Sequence, residues 1–285
     1  MRLCRFGDGR LGVVDGDKVR DVTAALDVLP GYHYPLPSSD VLIANLDAVR
    51  ERIDAIRDNA PSLPLAAIKL LSPVANPGKL IAAPVNYGKH LEEVRGTPEL
   101  HHHNQVAAIQ RAGLFLKATS SLSGPGEGIA LRQLHRRNDH EVELAFVVGR
   151  RAINVSRHQA LEHVAGYCIG LDITIRGPEE RSLRKSPDTY AVLGPWLVTA
   201  DEIRNPGVLD LRVAVNGEVR QQSNTRHLLL GVPELIEYAS SFYTLFPGDV
   251  VFTGTPEGVG PINPGDIIVA CVEGIGAMEV AVRAA

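Results

Sequence analysis

Apolar and polar positions alternate, or run together, in short stretches along most of the chain. RLCRF and RLGVVDG, separated by a GDG turn, read as strands. SSDVLIANLDAVRERIDAIRDNA changes period. Leu42, Leu46, Val49, Ile53 and Ile56 recur at helical spacing, and Ser39 or Asp40 can cap the helix. APSLPLAAIKLLSPVANPGK, rich in proline and ending in Pro-Gly, reads as a linker. From Lys79 onward strand-like runs dominate: KLIAA, EVELAFVVG, GYCIGLDIT, LRVAVNGEVR, DVVFTGT, DIIVACVEG and AMEVAVR. Asn216-Gly217 between alternating runs predicts a tight hairpin. Helices are predicted from about Ser156 to Val164 and over VPELIEYASSFYTL. The pattern predicts a β-rich α+β fold, without the strand–helix alternation of a doubly wound sheet. Residues 1–73 are expected to form a small N-terminal α/β domain with its linker, and residues 74–285 the larger domain.

One segment breaks the apolar pattern. NDHEVELAFVVGR reads as a buried strand, yet it carries Glu141 and Glu143. Residues two apart on a strand share a face, so Glu141, Glu143, Ala145 and Val147 point one way and Val142, Leu144, Phe146 and Val148 the other. Two carboxylates buried together need a positive partner. An Arg or Lys at a rim would serve, and so would a divalent cation. Asp172, at the end of the apolar run GYCIGLD, adds a third carboxylate and turns the reading toward a metal. Oxygen donors without Cys or His at zinc spacing fit Mg²⁺ or Mn²⁺.

Composition narrows the function. The chain has 285 residues, 45% of them hydrophobic, and a net charge of -4, which is no footprint for nucleic-acid binding. The basic stretch His135, Arg136, Arg137 reads as a solvated loop. Three scattered cysteines imply reduced thiols and a cytoplasmic protein, with Cys168 a small core residue. No apolar run is long enough to span a bilayer, and MRLCRFGDGRLGVVDGD lacks the continuous apolar region of a signal peptide. There is no GxSxG and no HExxH, which disfavours serine hydrolases and zinc proteases. TGTPEGVG lacks the Lys-Ser/Thr ending of a phosphate loop. His90 and Glu93 in NYGKHLEEV would be neighbours on a helix, either as a surface pair or with Glu93 orienting the imidazole. His101, His102 and His103 read as a polar loop or helix start.

NYGKHLEE, FLKATSSLSGPGEGI, HEVELAFVVGR, VAGYCIGLDIT, RKSPDTYAVLGPWLVTADEI, VNGEVRQQSNT, PGDVVFTGTPEGVG and PGDII follow one another in an order that resembles the catalytic domain of the fumarylacetoacetate hydrolase family, over about Lys79 to Arg283. The resemblance implies a mixed β-sheet roll and a homodimer. It implies Glu141, Glu143 and Asp172 as ligands of Mg²⁺ (or Mn²⁺), and His90 with Glu93 as a water-activating dyad. Lys185 matches the family's active-site lysine and Arg176 an arginine that follows the metal aspartate. Thr255 is expected to contact the substrate carboxylate, and Tyr87 to line the pocket. Many members have a Gln after the arginine; RGPEE here places Glu179 near the site instead. The implied activity is metal-dependent hydrolysis of a C–C bond in a small 2-oxo acid of the 2,4-dioxo type, an acylpyruvate or fumarylpyruvate, in the catabolism of aromatic or other 2-oxo acids. Oxaloacetate decarboxylation, isomerisation or hydration of 2-oxo-diene acids, and a non-catalytic binding role are the alternatives.

Overall fold

A computed structural model describes residues 1–102 and 106–285 of the chain. Its centre is the pair Val142–Val148 and Val164–Asp172, antiparallel, with Glu143 opposite Gly170 and Ala145 opposite Cys168. Every residue of both strands is buried. The strands therefore serve two cores at once, and the alternation sorts their side chains between them. Val142, Leu144, Phe146 and Val148 join one apolar cluster, and Ala145 and Val147 the other.

Twelve strands make the large sheet. Its order runs Ser62–Pro64, Lys18–Asp21, Arg10–Asp15, Arg2–Phe6, Ala191–Thr199, Val164–Asp172, Val142–Val148, Val250–Phe252, Leu80–Ala82, Phe115–Lys117. Leu70–Leu71 pairs with Arg2–Phe6, and Leu122–Ser123 with Ala191–Thr199. Most pairings are antiparallel; Val250–Phe252 runs parallel to Leu80–Ala82. A five-stranded sheet (Glu218–Asn224, Asp210–Val215, Ile267–Val272, Gly276–Ala284, Ile129–Leu131) covers one face. Helix Val232–Phe242 shares that core through Val232, Leu235, Ile236 and Ala239. The opposite face is covered by Ile43, Val49 and Ile53 from the N-terminal helices. The β-rich α+β expectation holds, with mixed pairing and no closed barrel.

Asp40 caps its helix as expected, accepting from Ile43 N at 3.1 Å. Its second oxygen accepts from the amides of Ala75 and Asn76, which pins the linker. The single helix expected here is two, Val41–Ala44 and Leu46–Ile56, because Asn45 turns its side-chain amide to the Val41 carbonyl. The segment expected to be a linker also supplies the short strands Ser62–Pro64 and Leu70–Leu71. Leu3 pairs with Leu197, so the N-terminal strands continue the large sheet. Asn216 and Gly217, at φ 51° and 83°, form the expected tight hairpin.

Two elements differ from expectation. Only one 3-10 turn, Ala160–His163, stands where a helix from Ser156 to Val164 was expected. Val164 already begins a central strand. Ala191–Thr199, a central strand, was not predicted, because Gly194-Pro195 interrupts it. Proline is tolerated there because the pairing with Val164–Asp172 breaks register between Tyr167 and Ile169.

The topology sets the site at one end of the large sheet. The start of Val142–Val148 and the ends of Val164–Asp172, Val250–Phe252 and Leu80–Ala82 meet there. Chain leaving those ends supplies Glu141, Asp172, Gly254, Thr255 and the segment leading to His90.

Candidate active site

Glu141, Glu143 and Asp172 are all buried and bring one carboxylate oxygen each within 4.8 Å of the others. The Asp172 amide donates to the Glu141 carbonyl at 2.9 Å, which locks the two strand ends together. Lys185 Nζ stands between two of these carboxylates, donating to Glu141 Oε2, Asp172 Oδ2 and Thr174 Oγ1, each at 2.7 Å. Lys117, wholly out of water, donates to Asp172 Oδ1 from behind and to the Tyr190 carbonyl. Arg176 bridges Glu141 Oε1 at 2.9 Å and Asp139 Oδ2 at 2.7 Å, and Arg137 holds the other oxygen of Asp139.

These partners divide the two glutamates. Burial pushes the Glu141 carboxyl up, but the charges of Lys185 and Arg176 outweigh it and hold it below the usual range. No cation among the described residues donates to Glu143; its Oε2 accepts the Gly254 amide at 2.5 Å. Burial, then the negative charge of Asp172, hold its pKa well above the ordinary carboxylate value. The set is rich in hard oxygen donors, buried and convergent, which is the chemistry a divalent Mg²⁺ or Mn²⁺ takes. The residues fit such an ion.

His90 lies on helix Gly88–Gly96, 4% exposed, with Nδ1 2.8 Å from Glu93 Oε2. Glu93 is itself fixed, its other oxygen accepting the Gly258 amide at 2.9 Å. Glu92, its neighbour, faces solvent. His90, Glu141, Arg176, Glu179, Lys185 and Thr255 line one cavity of about 350 Å³. Thr255 gives its proton to the Val142 carbonyl and accepts from Gln221 Nε2. Gln221 Oε1 in turn accepts the Val142 amide at 3.1 Å, so this glutamine clamps the start of the carboxylate strand. Tyr87 is buried with no partner for its hydroxyl among the described residues. Burial, with the charges of Glu143 and Glu257, keeps that hydroxyl protonated. Glu179 sits at the cavity wall but is held by Arg136, Nη2 to Oε2 at 2.7 Å.

Arg136 and Arg137, expected in a solvated loop, instead brace the site through Glu179 and Asp139. Lys117, Asp139 and Gln221 also went unpredicted. Lys117 stands in the quoted stretch FLKATSSL, and a lysine closing an apolar strand was the available signal. Cys168 is a core residue whose thiol burial holds protonated. His103 lies outside the described residues.

The sheet-rich fold thus gathers three buried carboxylates, a His–Glu pair and two buried lysines at one end of its large sheet. The profile of the fumarylacetoacetate (FAA) hydrolase C-terminal family matches residues 79–283, and the chain belongs to this family. It is 61% identical to maleylpyruvate hydrolase of Aquipseudomonas alcaligenes, over 99% of each chain. The crystal structure of maleylpyruvate hydrolase from Sphingobium sp. SYK-6, in complex with manganese(II) ion and pyruvate, matches with a TM-score of 0.85 and 40% identity, over 100% of this chain and 99% of that one. A mitochondrial oxaloacetate tautomerase of Xenopus laevis is 33% identical, over 98% of this chain and 89% of the other. No helix among the described residues is long and apolar enough to cross a membrane.

Proposed function

We propose that the protein hydrolyses the C–C bond between the 3- and 4-carbons of a 2,4-dioxo acid of the acylpyruvate type, with Mg²⁺ or Mn²⁺ held by Glu141, Glu143 and Asp172. The observation that carries this reading is the convergence of those three buried carboxylates, one of which, Glu141, lines a cavity together with His90 of the His90–Glu93 pair. The likeness to maleylpyruvate hydrolase over the whole chain supports it. When bound, the divalent cation supplies Lewis-acid polarisation of the 2-oxo acid.

The side chains supply the remaining steps. His90 takes a proton from water, and Glu93 stabilises the imidazolium that forms. The hydroxide adds to the 4-carbonyl. The C3–C4 bond then breaks, its electron pair passing to C3 and the 2-oxo oxygen as an enolate. Lys185 faces that developing negative charge. Protonation at C3 gives pyruvate or a homologue, and the acyl part leaves as a carboxylic acid. Arg176 lines the cavity and orients the acid; Tyr87, buried near Glu143, stands outside the cavity lining; Thr255 shapes the wall, and Glu179 borders the acyl end. The Xenopus likeness favours a second reading, proton transfer on a 2-oxo acid by the same dyad without water addition. We also read the protein as a cytoplasmic homodimer in the catabolism of such acids, with residues 1–73 a small domain bracing the sheet; light scattering tests the dimer.

The deciding experiment is a substrate panel of acylpyruvates, oxaloacetate and 2-oxo-diene acids, followed by loss of enol absorbance with and without added metal. Metal-dependent cleavage of a dioxo acid, abolished in His90→Ala, is the expected result. Turnover of oxaloacetate or a diene acid alone would replace the hydrolase reading.

A further inference from the structure

The start of strand Val142–Val148 is closed by a glutamine that no step of the reaction above uses. The ladder to Val250–Phe252 covers Ala145, Phe146 and Val147, so Val142 lies beyond it. Gln221, 1% exposed on strand Glu218–Asn224 of the five-stranded sheet, reaches across to that edge. Its Oε1 accepts from the Val142 amide and from His140 Nδ1, each at 3.1 Å. Its Nε2 donates to Thr255 Oγ1 and to the Pro256 carbonyl, each at 2.8 Å. This side chain cannot be turned over, because the Val142 amide only donates and the Pro256 carbonyl only accepts. Thr255 gives its own proton to the Val142 carbonyl at 2.9 Å, which closes a ring: Val142 to Gln221, Gln221 to Thr255, Thr255 back to Val142. Two donors and two acceptor positions of one buried amide are thereby filled.

We propose that Gln221 is a positioning residue: it fixes the loop 253–258 against Val142, and so places Glu143 for the cation and Glu93 behind His90 together. This rests on the metal and dyad roles read above and deepens them. Val142 separates Glu141 from Glu143, so the ring holds the backbone between two of the carboxylates. The pinned loop then gives one amide to each half of the site. Gly254 donates to Glu143 Oε2 at 2.5 Å, and Gly258 donates to Glu93 Oε1 at 2.9 Å. The loop also lies hard against the strand that carries Gln221. At Gly258, φ 93°, a Cβ would stand 2.2 Å from the Arg220 carbonyl. Gln221 is not among the residues lining the cavity, so it acts through the groups it holds. Partners of this kind orient carboxylates that bind metal, and a buried network with every position satisfied has one arrangement.

The test reads Mn²⁺ binding by calorimetry, which needs no turnover and so stands apart from the hydrolase reading. Gln221→Met keeps the length of the side chain and removes both arms of the bridge. It should weaken Mn²⁺ by about 10- to 100-fold, the range for a residue that orients a metal ligand without touching the metal. Lys79→Met breaks the buried pair with Asp249 instead, and should bind Mn²⁺ as wild type does. Thr255→Val opens the ring from the loop side and should weaken Mn²⁺ as well, which keeps the test alive if Gln221→Met does not fold. Thr255→Ser keeps the hydroxyl and should retain wild-type affinity. On any 2-oxo acid that the enzyme turns over, Gln221→Met at saturating Mn²⁺ should lower kcat far more than it changes KM. In a Glu93→Gln background it should cost no more than about twofold further, because the two changes act on one unit. Wild-type affinity in Gln221→Met and Thr255→Val, equal weakening in Lys79→Met, or kcat losses fully additive with Glu93→Gln overturn the proposal.

Discussion

Lys117→Met removes the driest cation of the site and keeps the length of its stem. The Lys117 side chain is 0% exposed and donates to Asp172 and, at 3.0 Å, to the Tyr190 carbonyl. Burial lowers its pKa, and the charge of Asp172 opposes that loss. In the variant the Tyr190 carbonyl keeps the Ile173 amide, whereas Asp172 keeps Lys185 alone. Removing one partner of a buried ion pair costs about 3–5 kcal/mol. The matched stem limits any packing loss to under about 1.5 kcal/mol. At roughly 2 °C per kcal/mol for a chain of this size, the metal-free variant should melt about 6–10 °C below wild type. A divalent cation beside Asp172 replaces the missing charge, so saturating Mn²⁺ should recover at least half of that difference. Lys79→Met is the control. Lys79 pairs at 3.0 Å with the fully buried Asp249, which is no member of the carboxylate cluster, and Mn²⁺ should give this variant no selective recovery. Differential scanning calorimetry with and without Mn²⁺ reads all four cases. A metal-free Lys117→Met melting within about 2 °C of wild type, or equal recovery of both variants, would refute the reasoning.

Three further outcomes follow from the same geometry. Because burial and the charge of Asp172 raise the pKa of Glu143 in the folded state, its contribution to metal-free stability is full below the ordinary carboxylate value of 4.5 and is lost as pH rises through the raised value. Metal must displace that proton, so affinity should climb with pH over the same window, and calorimetry in two buffers should record about one proton released per site; pH-independent binding would show Glu143 already ionised. Glu93→Gln keeps the bond to the Gly258 amide but loses the charge behind His90, so kcat should fall by about 10–100-fold with metal affinity intact; rapid kinetics with a metal titration checks both. Val85, a β-branched residue at φ 45°, carries a left-handed penalty of about 1–2 kcal/mol. Val85→Gly removes it at an entropy cost of about 0.5–1 kcal/mol, so urea denaturation should show a stabilised protein, and a destabilised one would show that packing of the isopropyl group outweighs the strain.

The carboxylate trio was readable in the sequence because a charge inside a fully apolar strand demands a positive partner, whether Arg, Lys or a cation, and Glu143 and Asp172 stand in such runs. The two-period alternation of Val142–Val148 likewise announced its two cores. What stayed hidden depends on neighbours remote in sequence. Lys117 meets Asp172 across 55 residues and Gln221 meets Val142 across 79, so neither shows a local pattern. Arg136 looked like an ordinary loop charge because its partners, the Arg176 carbonyl and Glu179, lie 40 and 43 residues away, and Arg137 because its near neighbour Asp139 is drawn into the site by Arg176 from 37 residues away. Ala191–Thr199 was obscured by Gly194-Pro195, a local signal that tertiary pairing overrides at a bulge.

The charges of the site explain why so many ionisable groups share one sheet end. Arg137, Arg176, Lys117 and Lys185 stand against Asp139, Glu141, Glu143 and Asp172. Burial and the charge of Asp172 favour the protonated form of Glu143, which tips this balance toward positive charge, and a divalent cation taken up in exchange for that proton would tip it further. A 2-oxo acid brings one negative charge in its carboxylate and gains a second as its enolate forms. On the acylpyruvate reading proposed above, that surplus would be met best at the stage where the C–C bond has broken. Fixed charge of this kind, held out of water by the strands around it, would stabilise such an enolate without reorganisation during the reaction. The same logic would account for Lys117, which is not among the residues lining the cavity described above: its charge backs Asp172, so that Asp172 could hold a cation and still leave the site positive.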